Sequence, residues 1–82
     1  MTMTAEKPNT SMMKISQAAR AAGVSCQTIE YYILIGLISP IRNRTGGRLF
    51  DEGLIRRIRL IRRLNSTGYT LRSIRETYMR RA

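Results

Sequence analysis

The stretch Gly23-Val24-Ser25-Cys26-Gln27-Thr28-Ile29-Glu30-Tyr31-Tyr32, followed by Gly46-Gly47-Arg48-Leu49-Phe50, decides the reading of this chain. Gly23 closes an alanine-rich segment, where glycine suits the left-handed backbone that often ends a helix. Ser25 stands at a helix N-cap position, with a hydroxyl able to accept from a nearby backbone N–H. The helix it opens runs to about Leu34 or Ile35; Gly36 breaks it and Pro40 prevents its restart. Helical geometry puts Ile29, Tyr32 and Ile33 on the core side. Gln27, Glu30, Tyr31 and Leu34 fall on the other side, spaced i, i+3, i+4 and i+7.

Working outward, the segment before Gly23 reads as a first helix. Ser16 is its expected cap, and Ala18, Ala19 and Ala22 form a small-residue face that lets the second helix pack close. Residues Met1 to Met12 lack periodicity and read as a flexible N-terminal tail, which leaves residues 13–82 as the domain. Downstream, Ile41 to Phe50 alternates around Gly46-Gly47, a hairpin signal flanked by Arg42, Arg44 and Arg48. Asp51 is the expected cap of a third helix, and Glu52 complements its dipole. Leu54, Ile58, Ile61 and Leu64 share one face of that helix, and Arg56, Arg59 and Arg63 the opposite one. Gly68 stops it. Thr70 caps a fourth helix with Leu71, Ile74 and Tyr78 as its apolar stripe, and Arg80 and Arg81 at its C-terminal end. The expected fold class is mostly α: a winged helix-turn-helix of four helices with a small two-stranded β-hairpin wing. Helix, turn, helix and basic hairpin is a layout that docks on DNA.

Composition agrees. The 82 residues make one small domain with a modest core. Fifteen Lys and Arg stand against five Asp and Glu, a net charge of +10, and thirteen of the fifteen are Arg. So basic a chain is suited to a polyanion, and guanidinium forks match phosphates and guanine edges. Cys26 is the single cysteine and there is no histidine, so neither an internal disulfide nor a zinc site is expected. No cofactor is expected, nor an enzyme: carboxylates are few and no Walker-type glycine loop is present. The N-terminus lacks the apolar run of a signal peptide, and no stretch is long enough to span a bilayer. A cytoplasmic location is the expectation.

In order along the chain, four pieces resemble the DNA-binding domain of the mercury-resistance regulator (MerR) family. They are Ile15-Ser16-Gln17-Ala18-Ala19; Val24-Ser25-x-x-Thr28-Ile29-x-Tyr31-Tyr32 with Gly36-Leu37-Ile38; Gly46-x-Arg48-Leu49-Phe50; and Leu54, Ile58, Ile61, Leu64, Gly68-Tyr69-Thr70-Leu71 and Ile74. The resemblance implies that the helix from Ser25 lies in the major groove and that the wing touches the flanking backbone. It also implies dimers that bend or untwist promoter DNA. The expected partners are double-stranded DNA, a second copy of the chain on DNA, and RNA polymerase, with no membrane. Family members commonly carry Arg where this chain has Glu30, an acidic residue at Ile33 and an aromatic at Gly47. The chain stops at Ala82, so the long dimerisation helix and an effector domain are not expected in it. It reads either as a domain cut from a longer protein or as a small family-like protein working without those parts.

The candidate DNA-binding residues are Ser25, Gln27, Thr28, Glu30, Tyr31, Arg42, Arg44, Arg48 and Arg56. Arg48, beside Gly46-Gly47, is placed for a charge-assisted bond to phosphate, with Arg42 and Arg44 as its neighbours. Gln27 suits adenine edges and the Thr28 methyl suits thymine. Tyr31 can donate to a phosphate or pack on sugar. Arg56, near the start of the third helix, is the residue of that helix expected to reach the backbone. Three readings of Glu30 stay open: it accepts from cytosine N4, it pairs with a nearby arginine and orients it, or it reduces affinity. Leu34 or Ile35 is expected to form an exposed apolar patch unless the wing covers it.

Three functions fit. The leading one is a sequence-selective double-stranded DNA-binding transcription regulator. The alternative is an excisionase-like architectural factor that bends DNA for site-specific recombination. A third, a cationic binder of anionic membranes through the third helix, is disfavoured because its apolar stripe is needed for the core.

Overall fold

The computed structural model describes residues 12–78. Most of the expected tail, residues 1–11, lies outside the described residues, as do Arg80 and Arg81. Helix α1 spans Ile15–Ala22, α2 Cys26–Leu34, α3 Glu52–Ser66 and α4 Leu71–Thr77. Strands β1 (Ile41–Arg42) and β2 (Arg48–Leu49) pair antiparallel, Ile41 opposite Leu49 and Arg42 opposite Arg48. The expected fold class holds: four helices and a two-stranded wing.

Local chemistry sets most boundaries. Ser25 Oγ accepts from Thr28 N at 3.0 Å, Asp51 Oδ1 from Leu54 N at 2.9 Å, and Thr70 Oγ1 from Ser73 N at 3.0 Å. Each satisfies an N–H that the first helical turn leaves without a partner. Gly23 adopts φ 75°, and its N–H returns to Ala19 O at 2.9 Å to close α1. The start of α1 differs from expectation: Lys14, not Ser16, is the N-cap residue. The Gln17 side chain reaches back to accept from Lys14 N at 3.0 Å, so the third helical residue supplies the bond.

The core is shared by every layer. Ala18, Ala19 and Ala22 of α1 are buried with Ile29 and Tyr32 of α2, Leu37, Ile38, Phe50, and Ile55, Ile58, Ile61 and Ile74. Helix α1 packs on both α2 and α3, and α4 packs on α3. Phe50 follows the wing directly and is fully buried. Its backbone exchanges two 2.8 Å bonds with Met13, tying the chain entering α1 to the base of the wing.

Two apolar assignments shift. On α3, Ile55 joins the buried set, while Leu54 and Leu64 are only half-buried. The Leu54-Ile55 pair allows two helical phases, and the folded core takes the one with Ile55 inward. On α4, Ile74 is buried, but Tyr78 leaves the expected stripe and stands about half-exposed. It packs edge-on against Tyr69, ring centroids 5.9 Å apart at 88°. The Tyr78 hydroxyl donates to Tyr69, and holding its proton there raises its pKa above the ordinary tyrosine value.

Candidate nucleic-acid interface

The polar side of α2 faces outward, as its spacing requires. Gln27 and Glu30 are exposed, Tyr31 is 50% exposed and Leu34 78%. Ile29 and Tyr32 lock the opposite side into the core. Burial raises the Tyr32 hydroxyl pKa, and the nearby Arg62 guanidinium partly opposes that rise. At the far end of the helix, Arg75 Nη1 of α4 donates to Ile35 O at 3.1 Å. Thus α2 is capped by a serine at its N-terminus and by a cation on its C-terminal carbonyl, where a cation is favoured.

The wing has its own framework. Asn43 Oδ1 accepts from Gly47 N at 2.7 Å, Thr45 N at 3.0 Å and Thr45 Oγ1 at 2.9 Å. One side-chain oxygen thus organises the whole turn. Gly46 sits at φ 89°, where a side chain would be strained. Arg42 Nη1 donates to Gly46 O at 3.1 Å, so this arginine braces the turn as well as lining it. Arg44 projects from the tip, exposed and without an ion pair or side-chain hydrogen bond among the described residues.

Wing and helix meet at one ion pair. Arg48 donates Nη1 to Glu30 Oε1 at 2.9 Å and Nη2 to Glu30 Oε2 at 2.7 Å. This fork-to-fork geometry is the strongest form of arginine–carboxylate contact. The hydrogen bond from Arg48, aided by its charge, holds the Glu30 carboxyl below its ordinary range, and the same bond raises the Arg48 pKa. The pairing reading of Glu30 is therefore the state of the free molecule, with Arg48 as the partner.

The remaining candidates fall into two places. Ser25 Oγ and Thr28 Oγ1 lie 2.9 Å apart at the start of α2. With Gln27 and Tyr31 they line one wall of a surface groove whose other wall includes Arg62 and Asn65 of α3. Arg56 stands apart. It is exposed on α3 and faces Glu52 at 3.9 Å, a solvated i,i+4 pair of little weight, and no ion pair or hydrogen bond joins it to α2 or the wing. Arg59, on the face of α3 opposite the apolar stripe, donates Nη2 to Ala21 O at 3.1 Å and so caps the C-terminal end of α1. Leu34 is the exposed apolar residue of the Ile33-Leu34-Ile35 run, and Ile35 is half-buried. Cys26 is exposed.

Sequence reasoning missed Asn43, Arg62 and Asn65. Asn at the first position of a turn, three residues before its Gly46, is a recognisable Asx-turn signal. Arg62 and Asn65 share the i, i+3 spacing that puts two residues on one helical face.

Among the described residues no helix is long and apolar enough to cross a membrane, and no cluster of His, Cys, Asp and Glu could hold a metal ion.

Comparison with known proteins places this arrangement. The profile described as "MerR HTH family regulatory protein" matches residues 13–80. The chain is 37% identical over 65 residues to the HTH-type transcriptional regulator HmrR of Sinorhizobium medicae, covering 78% of this chain and 44% of that protein. It is 36% identical over 62 residues to the mercuric resistance operon regulatory protein of Bacillus cereus, covering 74% and 47%. Among solved structures, it is similar to HiNmlR, described as a MerR family regulator lacking the sensor domain, bound to promoter DNA. The TM-score is 0.73 at 27% identity, over 79% of this chain and 50% of that one. The chain spans about half the length of these proteins.

Proposed function

Since the chain belongs to the MerR family of helix-turn-helix regulatory proteins, we propose that it binds double-stranded DNA sequence-selectively and regulates transcription. The observation that carries this is the polar face of α2, held at both ends and flanked by a basic wing braced on it through Glu30 and Arg48. A rigid protruding helix beside a cationic hairpin can enter a major groove while the hairpin grips the backbone.

Within that reading, Gln27 pairs with an adenine edge and the Thr28 methyl contacts thymine. Ser25 and Thr28 hold each other's hydroxyls, which leaves the methyl as the thymine-facing group. Tyr31 donates to phosphate or packs on sugar. Arg42, Arg44 and Arg48 meet the backbone, and Arg56 reaches it from α3. Glu30 sets the aim of Arg48. The expected partners are promoter DNA, a second copy of the chain on that DNA, and RNA polymerase, in the cytoplasm. A lone domain of this size buries little surface on DNA, so paired copies supply the affinity.

Selection of bound duplexes from a random pool tests the proposal. Enrichment of inverted half-sites is expected. Strong bending of every duplex without enrichment would replace the regulator with the architectural, excisionase-like role.

A further inference from the structure

Among the described residues, clustered positive charge is not confined to the wing. The α2–wing surface carries Arg42, Arg44 and Arg48 against Glu30, and the bidentate pair cancels one of those three charges. A separate cleft lies between the C-terminal end of α1 and the outer face of α3. Arg20, Arg59, Arg62 and Arg63 line it, and no acidic side chain does. None of these four forms an ion pair among the described residues. The negative end of the α1 dipole points here, but Arg59 already donates to the Ala21 carbonyl. The cleft therefore presents a net cationic wall to an incoming anion.

Its position tells which anion. Gly23 and Arg62 line both this cleft and the groove at the start of α2, so the two surfaces adjoin around the helix-turn-helix turn. A duplex seated on α2 brings its phosphate backbone along this edge, where the first helix of such a motif crosses it. We propose that Arg20, Arg59, Arg62 and Arg63 form a second phosphate-binding site for the same duplex, extending the contact beyond the recognition helix and wing. The inference rests on the duplex-binding reading above. It also gives the backbone affinity a source other than Arg48, which Glu30 partly neutralises.

Arg20 and Arg63 are the residues to change. Both are exposed, and neither side chain makes an ion pair or a side-chain hydrogen bond among the described residues, so the thermal midpoint should not move. Binding of the full chain to the pool-selected duplex is measured against salt, with hydroxyl-radical footprinting of the complex. Each lost phosphate contact lowers the slope of log affinity against log salt by about one unit. The Arg20→Gln/Arg63→Gln double variant should lose about two units, and each single variant about one. The footprint should retract on one flank while the preferred sequence stays the same. An unchanged slope and footprint, with wild-type binding intact, would overturn the second site alone. Failure of the wild-type chain to bind any duplex would overturn the duplex reading and this inference with it.

Discussion

Arg48 in the wing and Glu30 in α2 are joined by two parallel hydrogen bonds of 2.9 and 2.7 Å. Among the described residues it is the one side-chain ion pair between α2 and the hairpin. The same contact fixes the direction of Arg48 and offsets its positive charge.

Glu30→Gln should therefore raise affinity for all duplexes and steepen the salt dependence by about one unit, since one charge is unmasked. Arg48→Ala should weaken binding to every sequence alike and flatten the slope by about one unit. Anisotropy titrations at several salt concentrations read both. A change confined to one sequence would make Arg48 a base-reading residue instead.

The Glu30 carboxyl should titrate below the ordinary glutamate value of about 4.3 in the free protein. A depressed folded pKa stabilises the fold above the unfolded pKa, and that contribution is lost as pH falls through the folded value. Glu30 is exposed, so the effect on stability is small. Carboxyl-carbon NMR titration checks it, and Arg48→Ala should return the value to the ordinary range.

Asn43→Ala should loosen the wing. Three bonds converge on its side-chain oxygen, and two come from backbone N–H groups of the turn. The fold should survive, because Asn43 is exposed. Faster amide exchange at Thr45 and Gly47, with weaker DNA binding, is the expected result. Wild-type exchange rates would show that Gly46 alone shapes the turn.

Phe50→Ala should cost about 3–5 kcal/mol, the usual range for emptying a buried aromatic site. That is a large share of the roughly 5–15 kcal/mol that holds a small domain together. Chemical denaturation measures it. Because Met13 bonds to the Phe50 backbone, protection of the Met13 amide should fall as well.

What the sequence made legible was what is local. Ser25, Asp51 and Thr70 cap helices by reaching three residues ahead, and such bonds leave a residue-type signature. The outward face of α2 followed from spacing alone. The Lys14 cap was hidden because the bond comes from Gln17, one helical turn on. Pairing with an arginine was one of three open readings of Glu30, and the sequence did not name which arginine, because Arg48 lies 18 residues away and meets it only once the hairpin register is set. Spacing put Arg56, Arg59 and Arg63 of α3 on one face opposite the apolar stripe. Packing on α1 divided them, sending Arg59 to a helix end and leaving Arg56 beside Glu52.

The bond from Arg75 to Ile35 O crosses 40 residues of chain. It makes the last helix a bracket for α2, the helix proposed to read DNA. The helix-turn-helix is thus not a self-contained cassette: moved to another scaffold without α4, the recognition helix would keep its serine cap and lose its rear anchor. A substitution at Arg75, on a helix assigned no DNA contact, would then register as a fault in sequence reading, and a screen for binding mutants would mistake a support for a probe.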